Sequence, residues 1–485
     1  MYLKGIAMAS HPPIIIPEVG NAREQKAEKT IRGMKDLALE VAKIKPKTIV
    51  CITPHGNVFR DGVSVLYHPT LSGDFSEFGA PQVQLTKACD MGLLDQLNQS
   101  FGENNCHSLF INPKTAKEYD IDLRLDHGVL VPLTFIDKVY PDYQILHLTI
   151  GYLSLVELYR TGRILREAIE LNGEDTLILA SADLSHCLKD EGPYSFNPMG
   201  PLFDTLVVKA IEDKEYYDLL TLDPKIYEPA GQCGLRPMVM ALGAADSIKT
   251  HSQVFAYEGP FGVGYMEALI TFDLSGEDPT NESLLTRFEE DMDEQYAARL
   301  ASADPMVELA ARTIDTWVRT GTSLSPDQFK ENLEEAALAD QLEAPAGVFV
   351  TINKSGELRG CIGTIHPVTD SLAQEIVRNA IEAASYDPRF LPVEEAELNQ
   401  LSVSVSIMGE PEDVEDLGQL DPHRYGIIAE KGLRRGLLLP NLPGIDTVEA
   451  QIAAVKRKAG IPEYEADDEL GEKLHLQRFE VEYHG

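Results

Sequence analysis

Apolar and polar positions in the first half of the chain follow two alternating periods. Residues 21–45 set Ile31, Met34, Leu37, Val41 and Ile44 at helical spacing, which predicts an amphipathic helix. KTIVCITPHG follows, and its apolar run at 48–52 predicts a buried strand ending at Pro54-His55-Gly56. YQILHLTIG (143–151) predicts a second strand, LSLVELYRTGRILREAIEL a second helix, and DTLILASADLSH (175–186) a third strand running into a polar turn. Strands alternating with helices predict an α/β sheet covered by helices on both faces. Functional groups in such sheets collect beyond the carboxyl ends of the strands, where His55, Asp183 and His186 fall.

The pattern changes near residue 274. SGEDPTNESLLTRFEEDMDEQ opens with turn formers and is strongly acidic, so a linker over 274–300 is expected, leading into a surface helix. Asp304 then reads as a helix cap, with Pro305 at the first helical position. AGVFVTIN and LRGCIGTI predict a hairpin, and LSVSVSIM (401–408) a strand with clean alternation. The expectation is an α/β domain over 1–273 and a separate α+β domain over 301–485, a division that suits 485 residues.

Composition narrows the function classes. A formal net charge of −36 opposes general binding to nucleic acid or anionic membrane, both of which rely on Lys and Arg meeting phosphate. No apolar run is long enough to cross a bilayer, and His11-Pro12-Pro13 interrupts the N-terminal apolar stretch too early for a signal peptide. The six cysteines are scattered without a CxxC pair, which predicts a reducing, cytoplasmic setting rather than a disulfide framework. Oligomeric state is left open.

Candidate chemistry lies after the strand-like segments: His11 in SHPP, His55 in TPHG, Asp126-His127 in LDHG, Asp183 and His186 in SADLSH, and Cys233 in AGQCGLRP. Pro12 and Pro13 stiffen the backbone that presents His11, either as a ligand or as a turn residue. Two imidazoles and one anionic group with open positions make a reactive metal centre. Cys233 as thiolate would draw it towards Zn or Cu(I), and Glu228 and Glu267 are the carboxylate alternatives. Glu267 alternates with Tyr265 and Leu269 and reads as one face of an edge strand. His127 reads equally as a cap of VLVPLTFI, and His186 as the close of a turn. His68, His107, His147 and His251 read as ordinary.

SHPP, TPHG, DHG and SADLSH, in this order, resemble the LigB-type class III extradiol dioxygenases and their Memo-like relatives. The resemblance implies that His11 and His55 bind a metal, with Cys233 where the dioxygenases commonly carry Glu. It implies acid–base roles for His127 and His186, with Asp126 beside the first. Fe(II) is the first expectation for the metal, with Zn or Cu as alternatives, and the implied substrate is a small catechol-like aromatic. The sulfur in place of a carboxylate leaves a Memo-like metal-binding, redox or adaptor role without ring cleavage as the alternative.

In the second half, LRGCIGT (358–364), AASYDPRF (383–390), LSVSVSIM and RGLLLPNLPG (435–444) resemble the AMMECR family. Cys361 beside Arg359 has no local histidine partner and reads more readily as packing than as a nucleophile. Asp387-Pro388-Arg389 reads as an anion seat or as an internal ion pair. The fused arrangement resembles that of the AmmeMemoRadiSam system, which implies a radical-SAM protein as partner. The cysteine triad of such a protein is missing from this chain.

Overall fold

The structure is a computed structural model that describes residues 1–272, 282–331, 333, 336–354, 356–442, 444–462 and 474–485. It divides into two compact units, Met1–Phe288 and Glu289–Gly485. Residues 274–281 of the expected linker lie outside the described residues. Its remainder is helical from Leu284 to Ala301, where Leu285 is the buried residue, so the acidic run covers a surface helix.

The first unit is built on strands β1 (Leu3–Ala9), β2 (Thr48–Thr53), β3 (Val63–Leu66), the hairpin β4 (Thr70–Phe75) and β5 (Ala80–Ala88), β6 (Ser108–Ile111), β7 (Gln144–Thr149), β8 (Thr176–Ser181), β9 (Thr250–Glu258) and β10 (Tyr265–Phe272). Eight of them form one sheet in the order β6-β3-β7-β2-β8-β1-β10-β9. β7, β2, β8 and β1 are mutually parallel, and every residue of β2 and β8 is buried. That burial on both faces explains why these strands read as continuous apolar runs.

One helical layer pairs Glu28–Ile44 with His127–Asp137, and the other pairs Leu155–Asn172 with Leu235–Gly243. The second pair crosses at backbone contact: a Cβ at Gly162 would lie 1.9 Å from the Met240 carbonyl oxygen, and one at Gly243 2.0 Å from that of Tyr159. Only glycine allows that approach, and it fixes the helix whose amino end follows Cys233. Among the described residues no helix is long and apolar enough to cross a membrane.

The second unit has two four-stranded sheets. One joins β11 (Gly347–Lys354), β12 (Glu357–Gly363), β13 (Leu401–Met408) and β18 (Val481–His484) in the order β12-β11-β13-β18. The other joins β14 (Glu412–Asp413), β15 (Gly426–Lys431), β16 (Arg434–Leu438) and β17 (His475–Phe479) in the order β14-β17-β15-β16. The expected hairpin is β11–β12, and Asp304 caps Pro305–Thr320 by accepting the Met306 amide. β13 does not alternate as expected. It lies between β11 and β18, and its last five residues are all buried.

Candidate metal centre

Parallel strands that end together bring distant loops together. β1 runs out into Ser10-His11, β2 into Thr53 and His55, and β8 into Ser181, Asp183 and His186. His11 is 2% exposed, and its amide donates to Asp183 Oδ1 at 2.7 Å. The loop carrying Cys233 is drawn against the β8 loop, because Ser185 Oγ and the His186 amide both donate to the Ala230 carbonyl, at 2.8 and 3.2 Å. Gly234 completes the approach: a Cβ there would stand 2.6 Å from the Asp183 carbonyl oxygen.

These loops bring together five of the six expected side chains around one point. His11 Nε2 and His55 Nε2 are 3.0 Å apart. Cys233 Sγ lies 3.6 Å from His11 Nε2 and 3.8 Å from His186 Nε2. The donor atoms of His11, His55 and Cys233 all fall within 4.8 Å of one another. The His127 ring stacks on His55, with centroids 4.5 Å apart, and sets its edge to His11 at 5.6 Å.

Asp126, the sixth, makes its hydrogen bonds to groups other than the His127 ring. It, and not His127, caps the helix His127–Asp137, accepting the Gly128 amide at 2.8 Å. It also accepts Thr53 Oγ1 and His147 Nε2, both at 2.7 Å. Thr53 Oγ1 in turn accepts the His55 amide at 3.1 Å, so one carboxylate joins the His55 loop to the helix that carries His127. His147, expected to be ordinary, is 1% exposed and part of this hub. The available signal was a histidine inside an otherwise apolar strand, which needs a buried partner.

The carboxylate alternatives fall elsewhere. Glu228 is largely exposed and faces Arg236 at 3.5 Å. Glu267 was expected on one face of an edge strand, but β10 lies between β1 and β9, and Glu267 is fully buried, accepting the Ser10 hydroxyl. Burial holds the Glu267 carboxyl well above its ordinary pKa, opposed by the Ser10 bond.

The electrostatics suit a cation. Burial, then the neighbouring His55 and His127, hold His11 well below the usual imidazole pKa. Burial and His127 bring His55 down to about 4. Burial also lowers His127 and His186. Neutral imidazoles have a bare nitrogen to offer a metal. Burial and then Asp183 raise the Cys233 thiol, an effect that a divalent cation reverses. Spacings of 3.0 Å between the nitrogens and 3.6 Å from nitrogen to sulfur match donors about 2.0–2.3 Å from a single ion. The donor set therefore fits a metal.

Residues 5–267 match the family model described as the catalytic LigB subunit of aromatic ring-opening dioxygenase. The chain belongs to the LigB family. Residues 307–484 match the AMMECR1 model, so a LigB domain is joined to an AMMECR1 domain. Protein CA_C1420 of Clostridium acetobutylicum is 37% identical over 466 residues, covering 96% of this chain and 97% of its own. A Thermotoga maritima protein is 47% identical over 179 residues, 37% of this chain and 95% of its own. The crystal structure of the uncharacterized protein PH0010 from Pyrococcus horikoshii aligns with a TM-score of 0.32 at 34% identity, covering 37% of this chain and 88% of that one.

The LigB domain frames its centre with two rings that the sequence did not single out. Phe78, at the tip of the β4–β5 hairpin, meets the His127 ring edge-on at 5.4 Å, and Tyr194 stacks on His186 at 5.9 Å. In the AMMECR1 domain, Arg359 does not serve Cys361. Its guanidinium is engaged by Glu397 at 2.9 Å and by the carbonyls of Leu391 and Pro392. Cys361 accepts the Thr351 hydroxyl at 3.2 Å, and its amide donates to Asp387 at 2.9 Å. Asp387 pairs with Arg389 at 2.6 Å, which is the internal ion pair.

Proposed function

We propose that the LigB domain is a non-haem, metal-dependent oxidoreductase of the extradiol type, acting on a small catechol-like substrate. The convergence of His11, His55 and Cys233 within 4.8 Å, flanked by the half-buried His127 and His186, carries this reading. These three residues would hold Fe(II), which supplies a place for a vicinal diol and dioxygen to meet. His127, neutral and stacked beside His55, accepts a phenolic proton from the bound diol. His186, on the Cys233 side, takes the proton of the second hydroxyl and gives it back as the ring opens, while His127 returns the first to the product. Asp126 takes no proton in this scheme and holds the His55 loop and the His127 helix in register. Both atoms of dioxygen enter the product, so no outside reductant is needed.

The same reading sets the protein in a reducing cytoplasm and, on its fused architecture alone, gives it a radical-SAM protein as companion. The test is anaerobic reconstitution with ferrous iron followed by elemental analysis and oxygen uptake with a catechol panel. One iron per wild-type chain, its loss in His11→Ala and Cys233→Ala, and oxygen consumption with a diol are expected. An iron-loaded protein inert to every diol would move the conclusion to a redox or adaptor role, and full metal retention in His11→Ala would remove the site.

A further inference from the structure

The sequence DHGVLVPL places Pro132 inside the helix His127–Asp137, four residues after Gly128. In a regular helix the amide of residue 132 would donate to the carbonyl of residue 128. Proline has no amide hydrogen, and its ring pushes the carbonyl four residues back out of line. The Gly128 carbonyl is therefore left open by the helix itself.

Ser181, fully buried at the end of β8, fills that vacancy: its hydroxyl donates to the Gly128 oxygen at 2.5 Å. A serine has one proton to give. Once that proton is committed to Gly128, Ser181 Oγ can only accept from its other neighbour, His11 Nδ1, at 2.8 Å. His11 must then carry its ring hydrogen on Nδ1. Its Nε2 is left bare, facing His55 Nε2 at 3.0 Å and Cys233 Sγ at 3.6 Å.

We infer that Pro132 and Ser181 are positioning residues: a helix-breaking proline frees a carbonyl, the carbonyl orients a serine hydroxyl, and the hydroxyl fixes the His11 tautomer that leaves Nε2 free to bind metal. The inference rests on the reading of His11 as a ligand. It also explains why a proline sits in a buried helix, where local propensity alone disfavours it.

Long-range ¹H–¹⁵N spectra of the metal-free protein separate protonated from bare ring nitrogens, with the His11 signals assigned by their loss in His11→Asn. The expected result is a proton on His11 Nδ1 in the wild type and a mixture of tautomers in Ser181→Ala. Co(II) affinity is expected to fall about 10- to 100-fold in Ser181→Ala. Pro132→Ala returns an amide to the Gly128 carbonyl, so it should hold its fold while binding Co(II) several-fold more weakly, a split that a purely structural proline would not give. A wild-type proton on His11 Nε2, or equal Co(II) affinity in wild type and Ser181→Ala, overturns the inference. If Ser181→Ala does not fold, the wild-type spectrum and Pro132→Ala decide it. Wild-type protein that binds no Co(II) yet carries the proton on Nδ1 would remove the metal reading and leave the tautomer assignment standing.

Discussion

Replacing His147 by leucine probes the hub behind the metal centre. The imidazole is 1% exposed and donates to Asp126 Oδ2 at 2.7 Å. Leucine has similar bulk and no donor, so Asp126 keeps Thr53 and the Gly128 amide and loses one of three bonds. A buried hydrogen bond to a charged group contributes about 1.5–3 kcal/mol, and about 2 kcal/mol is expected here because two partners remain. In a domain of this size that lowers the melting temperature by about 5 °C. Burial alone would raise the Asp126 carboxyl, but the His147 and Thr53 bonds and the neighbouring His147 and His127 rings together outweigh it, His147 foremost, and hold the group well below the usual carboxylate range. A depressed carboxylate contributes stability above its unfolded pKa of about 3.9, and that stability is lost as pH falls through the lower folded value. The gap between wild type and His147→Leu should therefore be full at pH 7 and narrow below about pH 4. Calorimetry at both pH values, with Co(II) titrations alongside, is the assay. Because Thr53 links Asp126 to the His55 amide, Co(II) affinity should fall about tenfold or more, and adding Asp126→Asn should produce little further loss. Identical melting at pH 7, a gap unchanged at pH 3, or fully additive losses with Asp126→Asn would refute the hub.

Three further outcomes are expected. Cys233→Ser should bind Co(II) more weakly than wild type and lack the sulfur-to-metal absorption band, read by optical titration; an unchanged band would place the sulfur outside the site. Because burial raises the Cys233 thiol, wild-type metal binding should release a proton, with affinity rising about tenfold per pH unit between pH 6 and 8, measured by competition with a chelating dye. In the AMMECR1 domain, Asp387→Asn should cost about 2–3 kcal/mol, seen as a lower melting transition with Co(II) affinity unchanged, since the nearly buried carboxylate accepts the Cys361 amide and the Arg389 guanidinium.

The histidines at strand ends were readable because the chemistry of a parallel sheet gathers at one edge, and His11, His55 and His186 each follow a continuous apolar run. His147 could be read only as needing some buried partner, and Glu267 only as lying on one strand face, because their roles lie in which neighbour they face. Periodicity assigns a residue to a face of a strand; it does not say whether another strand covers that edge, as β9 does beside Glu267. Asp126 shows the same limit. Its place before His127 suggested service to that ring, while the helix geometry turns it to the Gly128 amide and across to His147.

The sequence by itself determined the alternation of strands and helices, the change of character after residue 274, and the residue types able to grip a metal, because periodicity and side-chain chemistry are local properties. Tertiary structure alone decided that β1, β2 and β8 end side by side, that Cys233 reaches them from another loop, and that Ser181 links His11 to Gly128. Those pairings join residues more than forty positions apart. They exist only once the sheet order is set by packing of the whole core.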